Sequence, residues 1–148
     1  MNKFNISMIT IGLAITFSAM ADESMTKEAY KSEKGRIELE YKSDKAKCKS
    51  LVDNAKDICK AEAKGKEEVA EAELDAKYKP SKKSRYKAQV AKAKADYKIA
   101  KEKCDDLTGN PKDVCQKEAK AALTAAKADA KAQMEASEAT PTTGDKAQ

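Results

Sequence analysis

The residues with the most distinctive chemistry in this chain are its four cysteines, Cys48, Cys59, Cys104 and Cys115. They fall in two stretches of the same layout, CKSLVDNAKDIC and CDDLTGNPKDVC, each with ten residues between the sulfurs. Zinc sites favour cysteine pairs about two to four residues apart, often with His, and the chain contains no His. A redox-active pair usually reads C-x-x-C, tighter than this spacing. The third use of thiols is a structural disulfide, which forms and persists in oxidising compartments.

Other catalytic chemistry is absent from the sequence. Without His there is no Ser-His or Cys-His arrangement. No Gly-rich phosphate loop appears, and the carboxylates alternate with lysines, so no acid/base pair stands out. The expectation is a protein that is not an enzyme and takes no cofactor or metal. The densest basic run is Lys79, Lys82, Lys83, Arg85 and Lys87, with no acid among them. It is a contact patch for an anionic envelope surface or an acidic protein face, or else a solvated linker.

The elements that must position these residues follow from composition and spacing. The chain has 148 residues, of which 37% are charged, with 30 Lys+Arg against 25 Asp+Glu. It has no Trp, and both Phe residues, Phe4 and Phe17, lie near the start. Much of the apolar content is alanine, which buries little area, so a thick core is not expected. Abundant Ala, Lys and Glu with few Gly and Pro predict long helices. The segment MNKFNISMITIGLAITFSAMADES is of another kind. Lys3, an apolar run and Ala19-Met20-Ala21 form the three regions of a signal peptide over 1–21, cut after Ala21. The run is short for a spanning helix, which needs roughly 20 apolar residues. Export to an oxidising compartment is therefore expected, with no stable membrane insertion after cleavage and nucleic acid excluded as a partner.

Shifting the chain by 56 positions aligns it with itself. Between 41–64 and 97–120, 13 of 24 positions are identical, both cysteines included. The chain is thus a tandem repeat, one copy over 22–79 and one over 80–136, with a disordered tail at 137–148. Each copy reads helix–turn–helix. Tyr86, Val90, Ala93, Tyr97, Ala100, Cys104 and Leu107 form a heptad seam. In the first copy Lys34 and Asp44 interrupt the equivalent seam. Glu38/Lys42, Glu62/Lys66, Glu73/Lys77 and Asp75/Lys79 are acid-then-base pairs at the favourable i,i+4 spacing. At the second bend, Gly109 suits the left-handed end of a helix, Asn110 an N-cap and Pro111 the first helical position. Asp53 replaces Gly109 in the first copy, predicting a looser first bend. Pro80 separates the copies, with Ser81 or Ser84 as a cap for the third helix.

Antiparallel helices about 8–10 Å apart bring facing Cα atoms to within reach of a disulfide. The pairing predicted is Cys48–Cys59 and Cys104–Cys115. The fold class expected is all-α: two disulfide-stapled, coiled-coil-like helical hairpins, either mobile about Pro80 or packed as an open four-helix arrangement.

The twice-present motif YKxxKxKCxxLxxNxKDxC followed by EAK resembles a group of small exported Ala/Lys/Glu-rich proteins of Gram-negative bacteria, sometimes labelled cell-envelope or TolA-like. The resemblance covers nearly all of the mature chain. It implies a periplasmic address and no catalytic residue. Two functions remain open at this point. One is a structural or interaction protein of the envelope with a protein partner or a second copy of itself. The other is a holdase-type chaperone for unfolded envelope proteins.

Overall fold

A computed structural model of the chain describes residues 25–139, with side chains to 137. The expected signal peptide, with Ala19 and Ala21, lies outside the described residues. Four α-helices follow in order: α1 Lys27–Lys47, α2 Asp53–Tyr78, α3 Lys82–Cys104 and α4 Asn110–Ala139. At about 1.5 Å per residue they are roughly 30–45 Å long. A short 3-10 turn, Cys48–Ser50, closes α1.

Helices α1 and α3 begin at side-chain caps, whereas α2 follows Val52 with none. The Thr26 hydroxyl accepts from the Ala29 N–H at 3.1 Å to start α1, and Lys45 and Lys47 sit in its last turn, where cations suit the dipole. Ser81 starts α3 through a reciprocal box: its hydroxyl accepts from Ser84 N–H, and Ser84 Oγ accepts from Ser81 N–H, both at 2.9 Å. Pro80 holds the three-residue link between α2 and α3 out of helix.

The cysteine bends differ in detail from the sequence expectation. Helix α3 stops at Cys104, and Gly109 stands directly before α4 with φ +60°, its carbonyl accepting from Lys112 and Asp113 N–H. Gly109 therefore opens α4 and does not close α3, and Asn110 is the first residue of α4. Asp53 occupies the same left-handed conformation at φ +50°, the one non-glycine to do so among the described residues. An L-residue there carries about 1 kcal/mol of strain, less for Asp, whose short side chain bonds locally. Helix α4 runs on to Ala139, so 137–139 are helical, and the rest of the expected tail lies outside the described residues.

The helices form one antiparallel layer. Helix α2 packs on α1 and on α3, α3 packs on α2 and α4, and no other helix pair comes together among the described residues. The tightest pairing is α2 with α3, across the two repeats. This resolves the sequence alternatives: the hairpins are packed side by side as an open four-helix arrangement and do not hang separately from Pro80. Gly65 shows why. A Cβ built on it would stand 3.0 Å from Ala95 Cβ and 3.6 Å from Ile99 Cδ1. The absence of a side chain lets the two backbones approach closely.

Two middle helices with two neighbours each need two contact faces, and small residues supply them. The buried residues are Ile37, Cys48, Ala63, Gly65, Leu74, Ala93, Ala95, Cys104, Ala119 and Ala130. Of the α3 seam, Ala93 and Cys104 are buried and Cys104 is bridged to α4, while Ala95 forms a second face toward α2. Leu107, the expected end of the seam, is 40% exposed.

The charges also depart from expectation. None of the four i,i+4 pairs read from the sequence closes to ion-pair distance among the described residues. Other pairs at that spacing do close, Lys92–Asp96 and Arg36–Glu40 among them, and a further set of charges reaches between helices. Lys66 pairs with Glu40 and Asp44 of α1, Glu62 with Lys103 of α3 at 3.6 Å, Glu68 with Lys98 of α3 at 2.7 Å, and Lys34 with Glu71 at 3.8 Å. The two residues that interrupt the first seam, Lys34 and Asp44, are thereby partnered on α2.

The Lys66 cluster sets an acid sensitivity. Hydrogen bonding from Lys66 holds the Glu40 carboxyl below its ordinary 4.5. Hydrogen bonds from Lys47 and then Lys66 hold Asp44 below its ordinary 3.8. A carboxylate with a depressed folded-state pKa stabilises the fold fully above its unfolded pKa and loses that contribution as pH falls through the folded one. Thermal unfolding followed by circular dichroism should give a midpoint that is steady above about pH 5 and declines below it. Lys66→Ala should lower the midpoint at neutral pH and shrink the acid decline. High salt should do the same, because these groups are exposed.

Candidate functional site

The four cysteines pair as the sequence predicts. Cys48–Cys59 has a Cα–Cα distance of 5.6 Å and Cys104–Cys115 one of 5.7 Å, both ordinary for a disulfide. Alternating helix direction places the two bridges at the same end of the layer. The two bends are also linked to each other. The Asn54 side-chain amide donates to the Glu102 carbonyl oxygen and to Asp106 Oδ1, both at 2.7 Å. Asn54 follows the strained Asp53 in the first bend, and its acceptors flank the second. Sequence reading passed over this role, though the repeated asparagine of the NxKD motif was its signal. Around the bridges the chain exposes Leu51, Val52, Leu107 and Val114, four of the five exposed large apolar residues among the described ones. The disulfide end is thus a rigid tip with an apolar surface.

The opposite end carries the basic run. The structure divides it into two faces. Lys82 and Arg85 turn toward α4, where Lys82 Nζ donates to the Ser137 carbonyl oxygen. Lys79, Lys83 and Lys87 line a groove of about 460 Å³ with Tyr30, Ala72, Asp75, Tyr78, Ser81 and Ser84. The groove spans α1, α2 and the start of α3. None of the five basic residues has a carboxylate partner among the described residues. Tyr30 and Tyr78 stack at 4.4 Å between ring centroids and form one wall. The Tyr30 hydroxyl donates to Asp75 Oδ1 at 2.7 Å. That hydrogen bond is the main reason its phenol is raised above the ordinary 10.0. The Lys79 ammonium lies 5.5 Å from the centre of the Tyr78 ring, within cation–π range.

Sequence reading singled out the lysines, and Ser84 only as a helix cap, but did not bring the two tyrosines to them, because α1 and α3 meet here only through the packing of each on α2. Among the described residues, no group of three or more His, Cys, Asp or Glu is placed to hold a metal ion. Likewise, no helix is long and apolar enough to cross a membrane.

The fold and the two ends define a class of molecule: an all-α, disulfide-stapled layer of two tandem helical hairpins. No protein-family model matches the chain, and no curated protein or solved structure matches it either.

Proposed function

We propose that the chain is a non-catalytic structural or protein-interaction protein of the bacterial cell envelope, held in the periplasm after removal of residues 1–21. In this role it is a stiff helical slab that presents different chemistry at its two ends. The observation that carries the reading is the pair of disulfides, whose bends are linked by the Asn54 hydrogen bonds. Such bridges persist in oxidising compartments and are rare where thiols are kept reduced. The sequence start, with its basic residue, apolar run and Ala19-Met20-Ala21, supports export to such a place. The resemblance to small exported Ala/Lys/Glu-rich proteins supports the same address. The chain has no His, and its carboxylates are interspersed with lysines without a standout acid/base pair, so no catalytic residue is proposed.

A holdase-type chaperone is the second reading. It is favoured by the exposed Leu51, Val52, Leu107 and Val114 at one end, which offer apolar contact to an unfolded chain.

One experiment tests both. A C-terminally tagged chain is expressed in Gram-negative cells, trapped with a thiol-blocking reagent, cross-linked and purified from the periplasmic fraction. The expected product begins at Asp22, contains no free thiol and carries one or a few defined envelope proteins. A mixed set of unfolded outer-membrane proteins, lost on replacing Leu51, Val52 and Leu107 by Ser, would select the chaperone reading. Reduced, uncleaved chain in the cytoplasm would overturn both.

A further inference from the structure

We propose that the groove at the Pro80 end binds an acidic peptide segment in extended conformation. The proposal rests on the reading of the chain as a protein-interaction module, but not on its compartment.

Three observations carry it. First, the groove is a formed concavity, about 460 Å³, within the ~300–1,000 Å³ range of ligand clefts. Second, its charge is unspent. Elsewhere the interhelical lysines Lys34, Lys66, Lys98 and Lys103 each reach a carboxylate on a neighbouring helix. Lys79, Lys83 and Lys87 reach none among the described residues, although they lie together on one groove. Asp75 is the one acid among the lining residues, and its Oδ1 already accepts from the Tyr30 hydroxyl. The groove therefore keeps a surplus of positive charge facing solvent. Third, its wall is aromatic. The stacked Tyr30 and Tyr78 rings give apolar contact beside the ammonium groups, and Ser81 and Ser84 border it at the N-terminus of α3, where negative charge is favoured.

Spacing selects the ligand. Lys83 and Lys87 are one turn apart on α3, a rise of about 6 Å. In an extended peptide, side chains on one face recur about every 6.6 Å. Alternate Glu or Asp residues of such a segment match the two lysines, and Lys79 lines the same groove. The intervening side chains then face the tyrosine wall and the half-buried Ala72. A bilayer is flat and touches only the lysine tips. It leaves the Ala72 floor and the ring faces unused, so the concavity favours a peptide.

The probe is a fluorescein-labelled octapeptide of alternating Glu and Ala, with the Gln–Ala octapeptide as its neutral counterpart. Anisotropy is read with the oxidised full chain in low salt, where screening is weak. The Glu peptide should bind, the Gln peptide should not, and binding should shift the backbone amide resonances of Ala72 and Ser84. The double variant K83A/K87A should weaken binding about tenfold, from the loss of two exposed charge pairs. K117A/K120A removes the same charge from the exposed surface of α4 and should change it less than about twofold. Circular dichroism confirms that both variants remain helical. Equal weakening in the two double variants would overturn the proposal by showing attraction to net charge alone. Lack of preference for the Glu peptide would also overturn it. So would lysine-dependent binding to vesicles of equal phosphatidylglycerol and phosphatidylcholine with none to the peptide, which would make the groove a lipid contact. Loss of the groove would leave the periplasmic cross-linking result untouched, and a cytoplasmic location would leave the peptide titration untouched.

Discussion

Removing both disulfides should lower the thermal midpoint of this protein by roughly 20 °C or more, the largest single effect expected. Each bridge closes a sequence separation of 11. The chain-entropy relation gives about 3 kcal/mol for a loop of that size, through restriction of the unfolded chain. Two such contributions approach 6 kcal/mol, and about 4 °C per kcal/mol is typical for a domain of this size. The core offers little to compensate. Ile37 and Leu74 are its only buried large aliphatic side chains among the described residues, each worth about 1.5–3 kcal/mol. Cys48 and Cys104 are themselves the largest fully buried side chains, at 1% and 0% exposure. They serve as core as well as covalent link. The measurement is urea and thermal unfolding of C48A/C59A, C104A/C115A and the fourfold variant. Alanine is chosen so that no hydroxyl is left buried at these sites. Each pair should cost about 3 kcal/mol. The fourfold variant should depart from the sum, because Asn54 couples the two bends. A loss under about 1 kcal/mol per pair would refute the account.

Gly65→Leu should separate the two hairpins. The site has no room, with Ala95 Cβ only 3.0 Å from where a Cβ would stand. Overpacking of this kind costs about 1–3 kcal/mol, and here the clash is with another helix's small residue, which cannot swing away. The expected loss is at the upper end, about 3 kcal/mol. Zero-length carbodiimide cross-linking gives a second readout. The Lys98–Glu68 pair between α2 and α3, at 2.7 Å, should cross-link in the natural chain and lose its product in the variant. The Lys66–Glu40 pair within the first hairpin should cross-link in both. Gly65→Ala is a sterner test of the balance. It gains about 1 kcal/mol of helix propensity and meets the same 3.0 Å approach, so it should come out near neutral. A stabilised Leu variant would show that α2 and α3 are not in contact in solution.

Much of the fold was legible because it is repetitive. The internal identity between 41–64 and 97–120 marks two copies of one hairpin, and the cysteines bracket each bend. Their pairing follows from helix spacing alone. What escaped was everything that depends on a third helix. A heptad seam reports one partner, but α2 and α3 have two. The second face is alanine and glycine, which carry almost no hydrophobic contrast against a background of alanine. Gly65 did carry a signal. A glycine inside a helical stretch costs about 1 kcal/mol and calls for a packing reason. It has no counterpart in the second copy, where Ala121 stands at the equivalent position. The i,i+4 charge pairs misled in part for a related reason. Glu62 and Lys66, read as one pair, reach Lys103 and Glu40 on neighbouring helices instead, while Lys92–Asp96 and Lys131–Glu135 show that the same spacing does close elsewhere. The basic run was visible as composition, but its division into a groove face and an α4 face was not. That division depends on where α1 sits, and α1 touches neither α3 nor α4.

The order of the layer has a kinetic meaning. Every helix packs only on the helix before or after it in the chain, so the contacts are local and the topology favours fast folding. Among the described residues no distant segment must be found and no strand edge waits for a partner. Each disulfide likewise joins cysteines of the same hairpin. For a chain that emerges N-terminus first, Cys48 and Cys59 are both out, with α2 still to be completed, before Cys104 appears. The correct partner is then the only one on hand. The tandem arrangement turns a choice among three pairings into a sequence of two steps, each with a single outcome.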